Sequence, residues 1–146
     1  MDDKFMIKIR GFQHAIVEPG THDIEMLTSG NYEYDEESNL YYIDYDETKT
    51  TGMENTHTNI EIGEDYVSVQ RTGDVVSDML FLAGRKTYSM YTTPFGHLTI
   101  SLYTEKLDIV TEDNRCSVKA DYTIDINERT VGKNKIQIDA WEAQKI

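Results

Sequence analysis

The chain has 146 residues, 38% of them apolar, with 14 Lys and Arg set against 27 Asp and Glu, a formal charge of −13 and a pI near 4.6. That length fits a single domain, residues 1–146, able to bury one hydrophobic core. The acid excess excludes a phosphate-backbone reader or an anionic-membrane binder, since both need clustered cations and the densest basic run is Arg85-Lys86. Neither nucleic acid nor membrane is therefore an expected partner.

Three absences point to a reducing, cytoplasmic setting. The first residues, MDDKFMIKIRG, have no long apolar core and no small-residue cleavage site. No apolar run approaches the roughly 18 residues needed to cross a bilayer. Cys116 is the lone cysteine, so no intrachain disulfide can form.

In chain order, period-2 alternation of apolar and polar residues predicts one strand after another. Phe5, Ile7 and Ile9 share a face; so do Tyr41, Ile43 and Tyr45, and then Thr58, Ile60 and Ile62. Val67 and Val69 follow, then Leu98, Ile100, Leu102 and Thr104. Past Glu105-Lys106 the apolar phase flips to Leu107 and Ile109, which predicts a β-bulge or sharp bend. The cleanest run is Cys116, Val118, Ala120, Tyr122, Ile124 and Ile126, and Ile136, Ile138 and Ala140 close the series. Turn chemistry marks Ser29-Gly30-Asn31, Glu37-Ser38-Asn39, Gly63-Glu64-Asp65, Thr72-Gly73-Asp74, Ala83-Gly84, Glu112-Asp113-Asn114 and Gly132-Lys133-Asn134. EYDEES reads as an acidic hairpin tip.

No capped helical stripe interrupts these strands, and the connections are too short for parallel crossovers. The expected fold is all-β: a single antiparallel barrel of nine or ten strands with little or no helix. Long, bent, consecutive strands suit an up-and-down barrel better than a sandwich.

Three segments carry a family likeness: YIDYDETKTTGMENTHT, VSVQRTGDVVSDMLFLAG and SMYTTPFGHLTISLYT. Within them stand Tyr45 and Glu47 before Thr51-Gly52-Met53, then Arg71 and Gly73, Phe81 and Gly84, Tyr91, Thr93-Pro94, Gly96 and Thr104. In order and spacing the chain resembles the YwiB-like family of uncharacterised bacterial proteins. The resemblance covers most of the chain and implies a calycin-like (lipocalin-like) β-barrel. It implies no activity. The Glu112–Arg115 turn departs from the pattern in lacking a glycine.

Two charged residues fall in the apolar phase of their strands. Arg71 shares parity with Val67 and Val69, and Glu47 with Tyr41, Ile43 and Tyr45. A buried charge is costly unless paired and hydrogen-bonded. The two are therefore expected to meet inside one end of the barrel, with a tyrosine hydroxyl among their hydrogen-bond partners. The pair can close the barrel structurally, or it can hold a ligand carboxylate.

Tyrosines crowd the first two thirds of the chain, where they serve either as strand residues or as a ligand-gripping lining. The candidate ligand-binding residues are Arg71, Glu47, Tyr45, Tyr91 and Thr104. His14, His22, His57 and His97 lack metal-ligand spacing, and Cys116 reads as a small buried hydrophobe. No nucleophile elbow, phosphate loop or cofactor motif is present, so no catalytic residue, metal or cofactor is assigned.

Three functions stay open. The first is a non-enzymatic module for a small apolar or amphipathic ligand, anionic where it meets Arg71. The second is a solid, structural barrel that engages a protein partner around Thr50–Thr56 and Thr92–Gly96. The third is an enzyme using Glu47 as a base beside Arg71. The sequence sets no oligomeric state.

Overall fold

Strands that are dry on one face only must hide those faces together, and consecutive hairpins do so by curling into a closed sheet. The computed structural model describes residues 5–15, 21–47 and 55–143. Ten strands follow in order: β1 (Phe5–Ala15), β2 (Thr21–Asp35), β3 (Leu40–Asp46), β4 (Thr56–Ile62), β5 (Tyr66–Gly73), β6 (Ser77–Leu82), β7 (Lys86–Thr93), β8 (Gly96–Glu112), β9 (Arg115–Ile126) and β10 (Arg129–Glu142). No helix occurs among the described residues.

The spatial order is β6-β5-β4-β3-β2-β1-β10-β9-β8-β7, with every neighbouring pair antiparallel. The protein is thus an all-β, nearly closed up-and-down barrel, as the alternation predicts. Closure falls between β6 and β7. Val76 and Thr92 exchange two backbone hydrogen bonds of 2.9 Å at one end of this seam. At the other end the Gly84 amide donates to the Thr104 carbonyl at 2.7 Å. Between them hydroxyls span the gap: Thr87 Oγ1 donates to the Leu80 carbonyl at 2.7 Å, and Ser89 Oγ accepts from the Asp78 amide at 3.4 Å.

The phase flip at Glu105 is a bulge, seen as a register shift between Thr104 and Lys106 against β9. Two expected turns are instead strand interior. Ser29-Gly30-Asn31 lies within β2, at the point where the strand changes partners. Residues up to Gly30 pair with β1, whereas Asn31–Asp35 pair with β3. Gly30 is needed there for packing, not for reversal: a Cβ on it would lie 2.4 Å from Ile7 Cδ1 and 2.4 Å from the Asp44 carbonyl oxygen. Gly132-Lys133-Asn134 likewise belongs to β10, beside a register shift between Thr130 and Gly132. The reversal comes earlier, at Asn127 and Glu128, which take up the positive φ (50° and 69°) of a tight hairpin.

The interior is filled toward the end where β2 turns into β3. Ile7, Ile43, Ile60, Ile62, Val67, Val118 and Ile138 are fully buried and belong to one cluster. Tyr32 of the same cluster is met edge-on by Phe5 and stacks with Tyr41, the ring centroids 5.5 Å apart in each pair. The Thr51-Gly52-Met53 motif, with the rest of Thr50–Glu54, lies outside the described residues.

Gly30→Ala forces the added methyl into Ile7 and the β3 backbone. Overpacking of this kind costs about 1–3 kcal/mol. We expect a loss in that range in urea unfolding, with an unchanged m-value.

Candidate ligand-binding site

The polar end of the barrel follows from strand register. Tyr45 of β3 lies opposite Thr58 of β4, Thr58 opposite Arg71 of β5, and Arg71 opposite Ser77 of β6. Directly opposed residues share a face, so these four side chains form one row across the interior. Glu47 follows two residues after Tyr45 on the same parity, and its amide donates to the Thr56 carbonyl at 2.8 Å. The end of β3 is thereby tied to β4 with the carboxylate turned inward.

Arg71 and Glu47 do meet. Arg71 Nε stands 3.7 Å from Glu47 Oε2, with the two side chains 14% and 1% exposed. That separation serves an ion pair but is too long for a hydrogen bond. The Thr58 hydroxyl donates to the Glu47 carboxylate, and the Tyr45 phenol is hydrogen-bonded to Glu47 and Thr58. Burial, and then the negative charge of Glu47, hold the Tyr45 phenol well above its ordinary range. Tyr122, on β9, approaches Arg71 from the opposite wall. Its phenol is pushed up to about 12 by burial, with the guanidinium pulling the other way. Its ring meets Phe81 edge-on at 5.1 Å. Both phenols therefore stay protonated at neutral pH.

Donor capacity is left over. Arg71 Nη1 makes a long contact of 3.9 Å to Met79 Sδ, and Arg71 Nε has no hydrogen-bond partner among the described residues. Ser77 Oγ and Thr104 Oγ1 are likewise buried without partners among them. Beside Glu47 a depression of about 460 Å³ opens to solvent, lined by Asp46, Glu47, Asn55, Thr56, His57, Thr72 and Gly73.

The five residues singled out in the sequence are not all brought together. Tyr45, Glu47 and Arg71 form one cluster. Tyr91 is half-buried on β7, opposite Leu98, and one residue before the Thr92 that bridges Val76 across the seam from Ser77. Thr104 is fully buried on β8, directly opposite Tyr122. Sequence reasoning missed Thr58, Ser77 and Tyr122. The signal for Thr58 and Tyr122 was present, since each falls in the apolar phase of a clean alternation while carrying a hydroxyl. His57 is exposed, with Nδ1 2.8 Å from Asp46 Oδ1. No group of three or more His, Cys, Asp or Glu converges as metal ligands among the described residues.

The chain is thus a nearly closed ten-stranded antiparallel barrel with an ion pair and a set of hydroxyls at one end. The chain belongs to the family described as "Domain of unknown function (DUF1934)", which it matches over residues 7–138. Its fold is similar to the "Crystal structure of ywiB protein from Bacillus subtilis", with a TM-score of 0.83 and 18% sequence identity. That likeness covers 97% of this chain and 93% of the other. The YwiB-like resemblance read in the sequence therefore holds, and at this identity it carries the fold alone. No curated protein matches.

Breaking a buried ion pair from one side leaves an uncompensated charge, at a cost of about 3–5 kcal/mol. We expect Arg71→Met and Glu47→Gln each to destabilise strongly. The double variant should lose clearly less than the sum, as measured by a double-mutant cycle in chemical denaturation.

The shifted groups also set an alkaline limit. The Cys116 thiol, moved by burial from 9.0 to about 12, and the Tyr122 phenol, from 10.0 to about 12, both have folded-state values above the unfolded ones. Their contribution is fully present below pH 9 and is lost as pH rises toward 12. Stability measured against pH should fall across that window, and Cys116→Ala should flatten its lower part.

Proposed function

We propose that this barrel is a non-enzymatic binding module that takes the anionic head of a small amphipathic molecule at its polar end. The observation that carries the reading is the Arg71 guanidinium, sunk in the barrel with an Nε–H that meets no acceptor among the described residues. An unmatched buried donor or acceptor costs about 1–3 kcal/mol, and Ser77 Oγ and Thr104 Oγ1 add two more polar atoms in the same condition. A carboxylate or similar group beside Arg71 would satisfy it through charge-assisted hydrogen bonds. Tyr45 and Tyr122, held protonated, flank the guanidinium as neutral groups that do not repel an anion.

The packed cluster of Ile and Val side chains sets the ligand's depth. Its head lies at the Glu47–Arg71 level, and its apolar part lies against half-buried Tyr91 and exposed Leu98 rather than in the core. The free, buried Cys116 suits a reducing compartment. A role for Glu47 as a base is disfavoured, because its carboxylate is 1% exposed and already engaged by Thr58.

Octanoate and octanol differ only in the head group and so serve as paired probes. We expect octanoate to raise the melting temperature and shift the amides around Arg71 and Tyr122, while octanol does not. Arg71→Gln should weaken octanoate binding at least tenfold. Equal responses to both probes would contradict the head-group assignment. Native mass spectrometry against the denatured mass reports any molecule carried through purification.

A further inference from the structure

The charge of this chain is not spread evenly around the barrel. Residues 31–84 hold thirteen Asp and Glu against two basic residues, Lys49 and Arg71, a net −11 of the chain's −13. Those residues run from the second half of β2 through β6, and Arg71 points inward. Among the described residues, β3 to β6 therefore turn no Lys or Arg outward, while Asp44, Asp46, Glu61 and Asp78 stand on their outer face.

At the edge of this acidic arc, over the β6–β7 seam, the outer surface becomes apolar. Val76 is 47% exposed, Met90 51%, Tyr88 73% and Tyr103 42%. Register places them together. Met90 is two residues before the Thr92 that bridges Val76, Tyr88 precedes Met90 on the same face, and Tyr103 lies opposite Lys86 on β8. Tyr and Met are the residue types enriched at interface centres. The same strands are the two edges of the sheet, joined by hydroxyl contacts rather than a continuous backbone ladder.

From this juxtaposition we propose that the outer face of the β6–β7 seam docks a protein partner through an extended segment whose surface-facing side chains, every second residue, include both apolar residues and Lys or Arg. Apolar side chains at some of those positions would cover Val76, Tyr88 and Met90, and cations two residues away on the same face would meet Asp78 and the acidic arc. Charge complementarity selects this occupant over a second copy of the chain, because two copies meeting here would bring two arcs of −11 together. An extended segment suits the site because its surface-facing side chains repeat every second residue, as those of Tyr88 and Met90 do along β7. The surface is separate from the Arg71 site, and the proposal stands or falls independently of it.

Two nine-residue peptides test it, Val-Ser-Lys-Ser-Val-Ser-Lys-Ser-Val and the same sequence with Glu in place of Lys, titrated into the intact protein and followed by amide NMR. The Lys peptide should shift the amides of Val76, Asp78, Leu80, Tyr88 and Met90, and the Glu peptide should leave them in place. Tyr88→Ser with Met90→Ser should weaken the Lys peptide at least fivefold. Both side chains are solvent-exposed, and the variant's amide spectrum verifies its fold. Asp78→Asn, which keeps the side chain's shape, should weaken it about twofold and reduce its salt dependence. Equal binding of both peptides would overturn the proposal. So would shifts confined to other strands, or sedimentation showing a dimer that the Tyr88/Met90 variant dissolves.

Discussion

A guanidinium and a carboxylate enclosed in a small barrel constrain everything around them. Their mutual attraction across 3.7 Å does not by itself compensate for removing both from water. The surroundings have to finish the task, and the strands are laid out accordingly. Thr58 and Tyr45 saturate Glu47 from the neighbouring strands, and the Glu47 amide is fastened to Thr56 so that the carboxylate cannot swing out. The acid is thus fully provided for, and the base is not. This asymmetry gives the polar end its chemical character, since the unmet hydrogen-bonding capacity belongs to Arg71.

The barrel divides along its length and around its girth. Lengthwise, Ile, Val and aromatic side chains pack solidly at one end, with Gly30 allowing β2 to bend against Ile7, while ionic and hydroxyl groups occupy the other. Around the girth, the arc from β3 to β6 is acidic outside, whereas the strands from β8 to β1 mix both signs. Lys8 and Arg10 pair with Glu25, and Lys106 with Asp108. The acidic arc ends at the β6–β7 seam, where closure is lightest and Val76, Tyr88 and Met90 are exposed. A small up-and-down barrel has to close somewhere, and here it closes with hydroxyls where a ladder would otherwise run.

Much of this was legible in the sequence. The alternation of Cys116 to Ile126 gives β9 residue for residue, and the phase flip at Glu105 marks the bulge. The parity of Arg71 and Glu47 was enough to bring them together, because side chains in a strand have only two directions to point. Two glycine-containing turns were misplaced, since glycine signals either a reversal or a close approach and composition does not separate them. Gly30 makes room for Ile7, and Gly132 stands next to a shift in strand register. Thr58 and Ser77 were overlooked because small hydroxyl residues pass as neutral in a strand. The charge segregation escaped notice for another reason: a net charge of −13 says nothing about direction until the register assigns each carboxylate to a face.

The proposed function requires an anionic partner from outside the chain beside the buried guanidinium. A high-resolution crystal structure of protein purified gently and without added carboxylates would reveal it. We expect density for a bound anionic group within hydrogen-bond distance of Arg71, at the level of Tyr45 and Tyr122. Density showing Arg71 instead in a two-point hydrogen-bonded pair with Glu47, its Nε–H satisfied by the protein and no other molecule beside it, would contradict it.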